Sequence, residues 1–294
     1  MNSAKRIFLI ALAALLATSC LSVRLSTMKD DQLDQAGVDA WNAKRPEDAR
    51  PYWEAMRDPA AKERRLASYD RLAELEGLRE AALALPPAES AKQEEAFRGY
   101  VAQYKAFPAE LKLPADMKES LRPLTVDVAK AKVKAQKMDA ATAFIKDAVA
   151  FLGDSSDYDP MRREIEAYGR VQAQERAADK VYADAKSTED FNAKIDAYEG
   201  AIAEYRKVES ASAAEIKKAG AGPDSGLAAQ SASLKKKRGA VRIEMERLVR
   251  ERGNTFKERI GEEFARQPEA SKVGKMGPED ILAFNEEIRA NIEK

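Results

Sequence analysis

The apolar side chains of this chain recur at intervals of three and four residues, and that period constrains its fold more than any other feature. The cleanest example is Phe191, Ile195, Tyr198, Ile202 and Tyr205, spaced four-three-four-three, which places one stripe along one side of a helix. A strand would instead show period-two alternation of Val, Ile, Thr and aromatic residues between turn residues, and no such run is sustained. Composition agrees: 34% charged residues, 7% aromatic and only 14 glycines suit long amphipathic helices. The spacing predicts an all-α chain of long antiparallel helical hairpins, forming a bundle or a solenoid.

Breaks divide this pattern into segments. Asp30 to Lys44 reads as a first helix with Leu33, Val38 and Trp41 on one side, and Pro46 opens the next. Pro51, Pro59 and Gly77 punctuate the stretch to Leu85, whose later half carries Leu66, Tyr69, Leu72, Leu75 and Leu78. Ser90 to Phe107 is closed by Pro108. Leu121, Leu124, Val128, Ala131, Ala135, Met138, Ala141, Ile145, Ala148 and Leu152 then form one stripe of about nine turns, stopped at Gly153. Asp159 and Pro160 start another helix, and Ser187 with Asp190 suggests a capping box for the next. Ala219 to Gly226 is a break, and the last long helix carries Leu227, Leu234, Val241, Leu248, Phe256, Ile260 and Phe264, with a bend expected at Gly253-Asn254. A terminal helix is expected over Pro278 to Ile292.

The start of the chain follows different rules. Lys5 and Arg6 precede an uninterrupted apolar run, Ile7 to Leu16, and then the small residues Ala17, Thr18 and Ser19. Ten apolar residues are too few to span a bilayer, which takes about 20, so the segment reads as a cleavable signal peptide. Cys20 is the only cysteine and follows directly. Structural use in a secreted chain would call for paired cysteines. Leu16-Ala17-Thr18-Ser19-Cys20 resembles the lipobox of bacterial lipoproteins, although Ala17 stands where a branched aliphatic is usual.

That resemblance implies cleavage after Ser19, acyl chains on Cys20, and a body tethered to a membrane outside the cytoplasm. At roughly 0.8 kcal/mol per buried methylene, two or more chains hold firmly. Leu21 and Ser22 take the place of an aspartate that retains lipoproteins at the inner membrane, which points to the outer one. The expected organisation is a leader over 1–19, a lipidated cysteine and tether over 20–29, one helical-hairpin domain over 30–266, and a mobile segment with a terminal helix over 267–294.

Charge narrows the partners. After removal of the leader, 48 basic residues face 50 acidic ones, a net charge of −2, which offers no concentrated basic face for nucleic acid. Histidine is absent, which removes the commonest general base and the commonest zinc ligand together. No cofactor or metal is called for.

Ala178 to Tyr205, and especially Asp190-Phe191-Asn192-Ala193-Lys194-Ile195-Asp196-Ala197-Tyr198-Glu199-Gly200-Ala201-Ile202, resembles the second helix of a tetratricopeptide repeat, with Phe191, Tyr198 and Ala201 at matching places and Lys194 where alanine is usual. Ala40 to Met56, with Trp41, Ala49 and Trp53, matches less well. The resemblance implies a scaffold that binds proteins on a groove, an inference from fold analogy alone.

Several constellations have simpler explanations. Ser233-Leu234-Lys235-Lys236 has the Ser-x-x-Lys spacing of penicillin-binding enzymes but none of their companion motifs. Glu89-Ser90, Glu119-Ser120 and Glu209-Ser210 have the acid-serine pair of lytic transglycosylases without a glycine-rich, aromatic context. Asp154, Asp157, Asp159 and Glu164 crowd one turn, yet helix capping accounts for them better than calcium. No catalytic residue follows. The candidates left for partner binding are the aromatics Trp41, Tyr52, Trp53, Tyr168, Tyr182, Tyr198 and Tyr205, with core packing as the alternative. Lys235, Lys236, Lys237 and Arg238 are candidates for headgroup or glycan contact, with a solvated helix face as the alternative. The expected function is a non-enzymatic, lipid-anchored adaptor in envelope assembly or transport. A spacer between membrane and wall and a small-ligand carrier are the competing classes.

Overall fold

The computed structural model describes residues 25–43 and 45–266, and beyond them 277, 279, 280, 283, 286, 287, 289 and 290. The expected leader, Cys20 and the start of the tether lie outside the described residues, as does most of 267–294. The protein is all-α, with no strand among the described residues. Its helices are α1 (Asp30–Asn42), α2 (Pro46–Glu54), α3 (Pro59–Leu83), α4 (Ser90–Ala106), α5 (Asp116–Glu119), α6 (Arg122–Lys134), α7 (Met138–Leu152), α8 (Asp159–Ser187), α9 (Phe191–Ala219) and α10 (Gly226–Arg266). They gather into two compact units that divide between Met161 and Arg162.

In the first unit each helix packs on neighbours in the chain: α1 on α2, α2 on α3, α3 on α4, α4 on α6, and α6 on α7. Proline and aspartate set the corners. Asp58 accepts hydrogen bonds from the Ala60 and Ala61 amides at 3.0 and 3.4 Å, and Pro59 supplies the fixed φ of a first helical residue. The Asp30 carboxylate at the start of α1 accepts from the Arg57 and Asp58 amides at 2.9 and 2.7 Å, tying α1 to the α2–α3 corner. The drift of a three-residue repeat is visible in α3, where Leu75 is buried, Leu66 and Leu72 are half-buried, and Leu78 is exposed.

The stripe from Leu121 to Leu152 is continuous in sequence but broken in space. Ala135 to Lys137 separates α6 from α7, and Gln136 sits at φ 59°. The Lys137 amide donates to Lys132 O and the Gln136 amide to Val133 O, at 3.0 and 2.9 Å, which is the paired bonding of a Schellman C-cap. The two short helices fold onto each other, and Leu121, Val128, Ala141, Ile145 and Ala148 all stay buried.

The second unit is a three-helix bundle whose directions follow from its cross-links. Tyr182, Asp179 and Arg170 of α8 bond to Tyr198-linked Glu244, Tyr205 and Glu215, so residue numbers fall along α8 as they rise along α9, and these two helices are antiparallel. Glu164, Glu175 and Asp179 meet Leu227, Gln230 and Lys237, so α8 and α10 run the same way. Ala167, Val171, Ala178 and Ala185 give α8 a narrow seam, into which Tyr198, Tyr205 and Val208 of α9 and Leu227, Leu234 and Val241 of α10 pack. Asp190 alone caps α9, accepting from the Ala193 amide at 2.8 Å, while Ser187 ends α8 by donating to Asp184 O, so the expected capping box does not form. The helix α10 continues unbroken through Gly253-Asn254, which are helical like their neighbours.

Candidate interaction surfaces

Four aromatic rings meet where α1, α2 and α3 join. Trp41 lies 5.6 Å from Trp53, 5.2 Å from Tyr69 and 6.0 Å from Phe107, centroid to centroid. The Trp41 indole donates to Lys112 O at 3.0 Å, and the Asn42 amide both donates to Glu110 O and accepts from the Lys112 amide, pinning the 110–112 segment against α1. Arg65 stands 5.9 Å from the Trp53 ring and bridges Asp34 and Glu110, each at 2.6 Å. Tyr69 donates to Pro46 O at 2.6 Å, and burial pushes its pKa up to about 12. These rings join helices to one another, and Tyr69 and Phe107 also border clefts at the edge of the cluster.

Two clefts flank this cluster. One of about 480 Å³, open to solvent, is lined by Arg50, Lys62, Leu66, Tyr69 and Asp70. The other, about 210 Å³, lies between α3 and α4 over Leu75 and Phe107, with Arg71, Glu74 and Gln103 at its edge. Both mix charge with a small apolar floor, and the second is below the ~300 Å³ at which ligand pockets usually begin.

The second unit holds a polar ladder within its apolar seam. Leu227, Leu234 and Val241 recur every seventh residue of α10, and Gln230, Lys237 and Glu244 follow each of them by three. All three polar residues are partnered across the bundle. Gln230 donates to Glu175 at 3.2 Å, Lys237 reaches Glu175 at 2.8 Å and Asp179 at 2.9 Å, and Glu244 accepts from Tyr198 at 3.0 Å and from Tyr182. Burial pulls the Lys237 pKa down, and its two carboxylate partners outweigh that and leave it raised. Burial raises Tyr205, and its bond to Asp179 raises it further. The Tyr182 hydroxyl lowers Glu244, and Tyr198 and Lys186 add to the effect. Lys237 and Glu244 are half-buried and partnered, whereas Gln230 is buried and its Oε1 has no hydrogen-bond partner, so the ladder is satisfied at two of its three steps and only in part at the third.

The aromatics singled out in the sequence therefore divide. Trp41, Trp53, Tyr198 and Tyr205 are at most 1% exposed and pack in the cores, their rings covered by their own helices and not open to a partner. Tyr52, Tyr168 and Tyr182 are half-buried. The basic run divides as well. Lys237 is held by Glu175 and Asp179 and Arg238 by Glu209 at 3.1 Å, which leaves Lys235 and Lys236 exposed. Glu89, Glu119 and Glu209, the acids of the acid-serine pairs, are each in ion pairs. Asp154 accepts from the Ser155 amide, Asp157 from the Ser155 hydroxyl, and Glu164 from the Leu227 amide; no metal-binding group occurs among the described residues.

The α10 seam ends earlier than its sequence suggests. From Leu248 to Phe256 is eight residues, not seven, which at about 100° per residue turns Phe256 away from the line of Leu227, Leu234, Val241 and Leu248. Phe256 is 42% exposed and Val249 48% exposed, while Ile243 stands out on another side. The signal for the polar ladder was present as a seven-residue period of polar residues, which a search for apolar repeats passes over.

Comparison with protein families, with curated proteins and with solved structures finds no match for this chain. Among the described residues no helix is long and apolar enough to cross a membrane.

Proposed function

We propose that the chain is a non-enzymatic helical scaffold of the bacterial cell envelope, held at a membrane by acyl chains on Cys20 and presenting its helices to a protein partner. The observation that carries this reading is the use of its charged and phenolic groups. Lys237, Glu244, Asp179, Arg65 and Asp34 are engaged in bonds between helices, where they hold long rods in register, and not gathered around a cleft. With α10 alone about 60 Å long at ~1.5 Å per residue, such a body sets distances between things attached to it. The lipobox-like segment supplies the address.

The burial of Trp41, Trp53, Tyr198 and Tyr205 favours a second reading, a spacer that needs no partner groove. Crosslinking in the native envelope separates the two. A protein captured reproducibly, and lost when the helical body is unfolded by core substitution, is the scaffold's expected result; capture of nothing specific leaves the spacer. For the anchor, cells grown with labelled fatty acid are expected to label the parent and not Cys20→Ser, and equal label in both refutes lipidation.

A further inference from the structure

We propose that the face of α10 carrying Val249, Phe256 and Ile260 is a docking site for the chain's own terminal segment, residues 278–292, laid antiparallel along it. Leu248 is the last α10 residue of the bundle core, and Arg252 stacks 5.6 Å from the ring of Phe191 at the start of α9. Beyond that point α10 continues to Arg266 with a new apolar stripe. At about 100° per residue, Val249, Phe256 and Ile260 fall within about 40° of one another. Val249 and Phe256 are exposed and Ile260 is half-exposed.

The charges around this stripe specify its occupant. On one flank lie Arg250 and Lys257, on the other Arg252 and Arg259, while Glu251 and Glu258 project from the opposite side by the same wheel. Residues 247–259 contain five basic and two acidic side chains, a net charge of +3. Arg250, Lys257 and Arg259 form no ion pair among the described residues. An apolar seam with basic flanks on both sides suits an amphipathic helix with acidic flanks.

The terminal segment has that composition. Ile281, Ile288 and Ile292 repeat the seven-then-four spacing of Val249, Phe256 and Ile260; by the same wheel Asp280 and Glu287 lie on one side of them, and Glu286 and Glu293 lie on the other beside Arg289. Residues 277–294 hold five acidic and two basic side chains, a net charge of −3. The described residues of this segment from 279 to 290 are helical, and the Asp280 carboxylate accepts from the Gly277 amide at 3.0 Å, as at a helix start. Eleven residues, 267–277, connect it to α10, ample at ~3.3 Å each for a helical hairpin. Laid antiparallel, Ile281 faces Ile260 and Ile292 faces Val249. Ile288 then faces Gly253, where a Cβ would meet nothing within 4 Å, and Phe256 falls opposite Asn285, one turn from Ile281 and Ile288.

The inference stands independently of the scaffold reading, because its test needs only the purified full chain. Hydrogen exchange is compared between the parent and I281D/I288D, and the parent is repeated at about tenfold dilution and with anionic phospholipid vesicles. Amides of 249–260 are expected to exchange at least about tenfold faster in the variant, at either concentration, while those of 227–245 stay unchanged and show that the bundle is intact. Equal exchange in parent and variant overturns the proposal. Protection that disappears on dilution assigns the face to a second copy, and protection that arises only with vesicles assigns it to a membrane surface; either result also overturns it.

Discussion

Gly37 of α1 lies flat against the indole of Trp53 in α2: a Cβ at Gly37 would stand 2.6 Å from Trp53 Cδ1 and closer still to Nε1. The missing side chain is what lets α1 and α2 close over a shared aromatic cluster, at the cost of an indole N–H that finds no acceptor. Gly37→Ala is expected to lose about 1–3 kcal/mol, the usual range for overpacking a core. Gly77→Ala, where nothing lies within 4 Å of the new methyl, is expected to gain about 0.5–1 kcal/mol as a helix-interior glycine is removed. Thermal melts of the two variants should move in opposite directions. If both rise, the close approach is not a constraint.

Gln136 occupies the left-handed position of the α6 C-cap that Gly220 occupies after α9, at φ 59° against 67°. Both caps are built alike, with Ala221 donating to Ile216 O where Lys137 donates to Lys132 O. Gln136→Gly is therefore expected to stabilise the fold by about 0.5 kcal/mol, the relief of left-handed strain partly offset by glycine's greater freedom when unfolded. A denaturant midpoint that rises with an unchanged slope is the readout; an unchanged or lower midpoint contradicts the account.

The same pair shows what was legible in the sequence. The break after Ala219 is announced by glycine and proline, and so were the ends at Pro46, Pro59, Pro108 and Gly153. The break at Gln136 carries no such residue, because the apolar stripe continues across it and only the packing of α6 on α7 selects the turn. Core positions such as Leu33, Val38 and Trp41 followed from period alone. The candidate surfaces did not, since whether Tyr198 or Lys237 faces solvent depends on where a neighbouring helix lies, and that is decided some 40 to 60 residues away in the chain.

Lys237 and Lys236 are adjacent in sequence and opposite in environment. Lys237→Ala removes the partner of Glu175, whose side chain is 14% exposed, and of Asp179; with Lys237 itself 39% exposed and partly screened, a loss of about 1 kcal/mol is expected. Lys236→Ala, on the solvent side, is expected to stay within about 0.5 kcal/mol of the parent. Chemical denaturation in low salt measures both. Equal effects would mean that the run acts as one surface patch.

Tyr198 and Glu244 give the bundle a dependence on pH from both sides. Burial and the Glu244 bond raise Tyr198 from 10.0 to about 12, so the stability of its neutral form is complete below pH 10 and is lost as pH rises towards 12. Glu244 is shifted the other way, held low first by the Tyr182 hydroxyl, so its contribution is present above the ordinary value of 4.5 and is lost as pH falls through its lowered pKa. Melting temperature should thus stay level near neutrality and fall at both extremes. Tyr198→Phe removes one hydroxyl from a carboxylate that keeps Tyr182 and Lys186, and should cost about 1 kcal/mol near neutral pH. Its more telling effect is at high pH, where the variant should lose less stability between pH 9 and 11 than the parent does. An alkaline fall of the same steepness in both would place the responsible ionisation elsewhere, with Tyr205, also raised and bonded to Asp179, the next to substitute.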